Sequence, residues 1–121
     1  GKISIYSLMA EEFTNMTEPP TLMVYLPILS GNEKIEVRTN SYGRNISVEI
    51  FEGIIQPWET TKWWERHKMV ARVPELPTWG AQNPTLIWKA EPGVYTLVVV
   101  LWDEYSPDAR VELSIAIGGS R

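Results

Sequence analysis

The stretch ARVELSIAIGG at 109–119 alternates without a break. Val111, Leu113, Ile115 and Ile117 fall on one side, with Arg110, Glu112 and Ser114 on the other. A helix would spread those apolar residues around its circumference, whereas a strand puts them all on one face. The same pattern recurs along the chain. In EKIEVRT, Ile35 and Val37 oppose Lys34, Glu36 and Arg38; in NISVEIF, Ile46, Val48 and Ile50 oppose Ser47 and Glu49. Between them NSYG at 40–43 predicts a tight hairpin, with Gly43 free to take positive φ. TLMVYLPI at 21–28 turns Leu22, Val24 and Leu26 inward, and Pro27 puts its end at a sheet edge or a bulge. Ile3 and Ile5 alternate with Lys2 and Ser4 at the start. The turn EPG leads into VYTLVVVLW at 94–102, apolar on both faces and so expected at the centre of a sheet.

These segments amount to seven or eight strands with at most one short helix, around 57–69. There Pro57 suits a first helical position and Glu59 complements the helix dipole. The expected fold is all-β: a single antiparallel β-sandwich of immunoglobulin-like or related topology spanning 1–121. From 52 to 84 no strong alternation is visible, so this region reads as a long connection.

Composition narrows the partners. Net charge is −4, and the eleven basic residues are scattered, which argues against nucleic acid. No apolar run approaches the roughly 20 residues of a membrane span. A chain of 121 residues without cysteine is long enough to bury a core unaided. Missing disulfides favour a cytoplasmic home mildly, while the sequons at Asn15 and Asn45 point outward. A mature form or an excised domain fits this sequence, in which no signal peptide is visible.

The chemistry-bearing residues cluster in TKWWERHKMVARVPELPTWG at 61–80. Trp58, Trp63, Trp64 and Trp79, with Glu65 and His67, form the candidate ligand or partner surface. Three readings compete: stacking platforms for sugar rings, oriented by Glu59, Glu65 and Gln82; a hot-spot patch for a protein; or caps on the core. Neighbours on a strand face opposite ways, so at least one of Trp63 and Trp64 is expected near the surface. His67 is the only histidine, and with no cysteine it makes no structural zinc site; no nucleophile context surrounds it either. Asp103, Glu104 and Asp108 gather in WDEYSPDAR, where a solvated turn is favoured over a calcium loop. No catalytic residue, metal or cofactor is assigned.

LIWKAEPGVYTLVVVL, through Trp88, Pro92, Gly93 and Tyr95, resembles the BsuPI-type proteinase inhibitors, and KWWERHKM is similar to an upstream aromatic-basic stretch in them. The likeness spans about half the chain. It implies a small β-sandwich and, as one alternative, an inhibitor.

The expected function is non-enzymatic: a cell-surface or extracellular domain acting through contact with another protein or with further copies of itself. A cytoplasmic home stays open. Strand addition supplies one mechanism, with Ile3 and Ile5, or Val111, Leu113, Ile115 and Ile117, filling a neighbour's groove. The alternative is a carbohydrate-binding module that uses the tryptophans on a polysaccharide.

Overall fold

The computed structural model describes residues 3–119 along the backbone and the side chains of 13–118. The elements run β1 (Ile3–Glu12), β2 (Thr21–Tyr25), β3 (Glu33–Asn40), β4 (Ile46–Glu52), α1 (Trp63–Arg66), β5 (Met69–Val73), β6 (Leu86–Ala90), β7 (Tyr95–Leu101) and β8 (Arg110–Gly119). They form two four-stranded sheets, β1-β8-β3-β6 and β2-β7-β4-β5, antiparallel throughout. The antiparallel sandwich expected from the alternation is thus the fold of the described residues, with one short helix.

Its connectivity is more particular. The chain changes sheet at every connection except β4 to β5. The pairs β1–β8, β2–β7, β3–β6 and β4–β5 are those of one long hairpin folded over on itself. That is the strand order of a jelly roll, not the order of an immunoglobulin domain.

The turn at 40–43 exists, with Tyr42 at φ 50° and Gly43 at φ 81°, but it does not close a hairpin. β3 pairs with β6 and β8, β4 with β5 and β7, so the turn is an arch between sheets. Alternation specifies which face of a strand is buried, not which strand lies beside it. Ile35 and Val37 of one sheet and Ile46, Val48 and Ile50 of the other are fully buried in the same core. Ser41 and Asn83 pin the arch reciprocally: the Ser41 N–H donates to Asn83 Oδ1 at 2.9 Å, and the Asn83 N–H to Ser41 Oγ at 3.0 Å.

Other expectations hold. β7 lies between β2 and β4 and is buried on both faces, and β2 is an edge strand that ends before Pro27. Val111, Leu113, Ile115 and Ile117 are core residues. β8 carries them between β1 and β3 and is hydrogen-bonded on both edges. The backbone of Ile3 and Ile5 pairs with β8 in the same sheet; their side chains lie outside the described residues. In the stretch 86–101, Trp88 packs edge-on against Tyr95 at 4.9 Å, and the Tyr95 hydroxyl donates to the Glu91 carbonyl at 2.9 Å. Those residues brace the sandwich.

Region 52–84 corrects the sequence reading most. It contains β5, an edge strand without clean alternation, and the helix covers only Trp63–Arg66. Pro57 opens a turn instead of a helix: the Glu59 N–H donates to the Gln56 carbonyl at 2.9 Å, and Glu59 Oε2 accepts the Gln56 N–H at 2.6 Å. The left-handed Lys62, at φ 55°, starts the helix. This connection folds back over the outer face of β4 and β7, where Trp63 joins Phe51, Ile55, Val98 and Val100 in a second apolar cluster.

Candidate functional site

Covering that outer face creates a concavity. β4 turns Ser47, Glu49 and Phe51 away from the main core, opposite Ile46, Val48 and Ile50. In β5 Arg72 stands directly across from Glu49. The arginine side chain is only 6% exposed, and its Nε donates to Glu49 Oε2 at 3.0 Å. Its remaining nitrogens reach the carbonyls of Pro74, Thr78 (2.8 Å) and Trp79 (2.6 Å), so one guanidinium shapes the whole 74–79 segment. Trp79 is thereby held with its ring centroid 5.7 Å from the Arg72 guanidinium carbon.

A chain of hydrogen bonds reaches the carboxylate from the other side. Trp102 Nε1 donates to Ser47 Oγ at 2.9 Å, and the Ser47 hydroxyl donates to Glu49 Oε2 at 3.0 Å. Burial raises the Glu49 carboxyl above its ordinary value, outweighing the Ser47 and Arg72 contacts that lower it. Gly80 lets Trp102 approach, because a Cβ there would stand 3.1 Å from the indole.

The result is a largely apolar pocket of about 500 Å³, within the range of ligand sites. Trp64, Trp79 and Trp102 wall it with Met69 and Leu76, over Phe51, Trp63 and the Glu49–Arg72 pair. Trp79 and Trp102 lie 5.1 Å apart and tilted by 46°, while Trp63 and Trp64 meet edge to face at 4.8 Å. The helical turn therefore divides its two tryptophans: Trp63 is 1% exposed and Trp64 47%.

The residues singled out in the sequence are only partly brought together. Trp63, Trp64 and Trp79 share the pocket. Trp58, 76% exposed, belongs to a second, shallower groove beside Glu59, Thr60 and Arg66. Glu65 and Gln82 are exposed and line neither. His67 instead braces the connection, its Nδ1–H donating to the Glu52 carbonyl at 3.1 Å and its Nε2 lying 2.9 Å from Glu59 Oε1. Burial alone would raise the Glu59 carboxyl, but Arg66, the Gln56 N–H and His67 together hold it down to about 2.

Glu49, Arg72 and Trp102 were not singled out. Glu49 sat on the polar side of an alternating strand, and Arg72 in the unassigned connection. One signal pointed to them: β7 is apolar on both faces, so the outer face of its sheet had to be covered. Of the loop acids, Asp103 accepts from the Asn45 N–H at 2.6 Å, and Asp108 from Ser106 at 2.7 Å. Asn45 also donates its side-chain amide to Asp103 at 3.0 Å, and both Asn45 and Asn15 are exposed. Among the described residues no group of three or more acidic or histidine side chains is placed to hold a metal.

Fold and site together define a jelly-roll sandwich with an aromatic pocket on one outer face. No protein-family model matches the sequence, and neither a curated protein nor a solved structure shows significant similarity to it. No helix among the described residues is long and apolar enough to cross a membrane.

Proposed function

We propose that this chain is a non-enzymatic domain of the cell surface or extracellular space that works by binding, through the pocket walled by Trp64, Trp79 and Trp102. The observation that carries this reading is the cost of the pocket. Three large aromatics stay partly exposed around a concavity whose floor desolvates a carboxylate and a guanidinium, both of which a fold could leave in water more cheaply. Concave, mostly apolar sites with a few fixed polar groups are where proteins hold ligands. The exposed sequon at Asn15 is compatible with an outward address. Strand addition by β8 has less support, since both of its edges are already paired and its apolar residues fill its own core.

Two-dimensional NMR of the indole N–H groups tests the reading. The probes are soluble neutral polysaccharides (a β-glucan, a xylan and a galactomannan), tetramethylammonium chloride and a proline-rich peptide. At least one should shift Trp64, Trp79 and Trp102 while leaving Trp58 in place. If no indole moves with any probe, the pocket is not a binding site.

A further inference from the structure

The pocket's unpaired acceptor narrows its occupant further. Glu49 Oε2 accepts from both Ser47 and Arg72, whereas Oε1 has no hydrogen-bond partner among the described residues. Trp63, in the same lining, keeps its indole Nε1–H buried without an acceptor. The lining thus combines aromatic faces with one unused acceptor, while the Trp63 donor is shielded from solvent and out of an occupant's reach. A purely apolar occupant, such as an aliphatic side chain of a partner, would dehydrate the carboxylate oxygen and give it nothing in return. An anion would meet Glu49. A cation would meet the Arg72 guanidinium, already placed against Trp79, where a second positive charge would otherwise have profited from the ring.

We infer that the pocket takes a neutral saccharide unit, its apolar ring face packed on the tryptophans and a hydroxyl donated to Glu49 Oε1. A hydroxyl can donate to the free carboxylate oxygen without bringing a charge into the pocket. The pyranose ring supplies apolar and hydroxylated surfaces in one uncharged body. Because Trp79 and Trp102 are tilted by 46°, the rings form a cleft instead of a flat platform. Such a cleft suits a single soluble chain. This inference rests on the binding reading above.

The same titration separates the two. The saccharide inference expects at least one neutral polysaccharide to shift the pocket indoles to saturation, with tetramethylammonium and the peptide leaving them in place. Trp64→Ala, at a residue 47% exposed, should weaken that binding by about tenfold or more. Glu49→Gln, which keeps the shape and replaces a charged acceptor with an amide, should weaken it several-fold, up to about tenfold. If tetramethylammonium or the peptide shifts the indoles and no polysaccharide does, the saccharide inference is overturned while the binding reading survives. Silence of every probe removes both. Undiminished polysaccharide binding by the Trp64→Ala variant would place the sugar elsewhere and overturn the inference as well.

Discussion

The two sheets share one core and differ on their outer faces. On one, β3 and β8 hold Lys34, Arg38 and Glu112 out to water, and Glu36 pairs with Arg38 at 3.1 Å. On the other, Phe51, Val98 and Val100 lie under Trp63, and Glu49 pairs with Arg72 at 3.0 Å. The two ion pairs are nearly equal in length and opposite in consequence. The exposed one is worth about 0–1 kcal/mol, since water screens it and two flexible side chains must be held. The buried one is part of a network that positions Trp79 and Trp102, and losing one partner strands the other out of water. What separates them is the 53–68 connection, which covers one outer face and leaves the other bare.

That contrast can be broken by mutation. Trp63→Ala should have the largest effect, about 3–5 kcal/mol lost in chemical denaturation, as expected for truncating a buried tryptophan. A loss under about 1 kcal/mol would mean that the connection is a loose cover and the two faces are energetically alike. Arg72→Met should also be severe, in the range of about 3–5 kcal/mol, because it leaves Glu49 buried and uncompensated. It should besides raise amide hydrogen exchange across 74–79, which Arg72 holds through three carbonyls.

Smaller effects sharpen the comparison. Trp79→Ala removes a 59% exposed side chain and should cost no more than about 1 kcal/mol of stability while abolishing ligand-induced shifts of Trp64 and Trp102. The covered face should also titrate in two opposite senses. Glu59 is held at about 2, below its ordinary 4.5, so its contribution is complete above 4.5 and lost as pH falls toward 2. Glu49 is raised, so the folded state takes up its proton first, and that contribution is present below 4.5 and lost as pH rises above it. Carboxyl ¹³C titration should place the two midpoints on opposite sides of 4.5, and coincident midpoints would refute the assignment. Smallest of all, Arg38→Ala on the bare face should change stability by less than about 0.5 kcal/mol.

Much of the fold was legible because it rests on a local signal. Ile35, Val37, Ile46, Val48, Ile50 and the four apolar residues of β8 declared their inward faces through period-two alternation, and all are buried. β7 announced its central place by being apolar on both sides. The site was legible only in part. Trp63, Trp64 and Trp79 drew notice by their density, but Trp102 lay in a segment read for its acids. Glu49 looked like an ordinary outward residue because alternation reports polarity and not what lies above it. β5 was invisible, since an edge strand with Arg72 turned toward a covered face has no simple pattern to show.

The sequence by itself determined which residues point into the core and roughly how many strands carry them, because side-chain direction in a strand depends only on position along it. Which strands became neighbours was decided by the tertiary structure. The backbone ladder is chemically the same with any antiparallel partner, and only joint burial of all the inward faces selects β3 beside β8 and β4 beside β7. The pocket, too, is a tertiary product: Glu49 and Arg72 stand 23 positions apart in the chain, and they became a buried pair only when the intervening segment folded over the sheet that holds them.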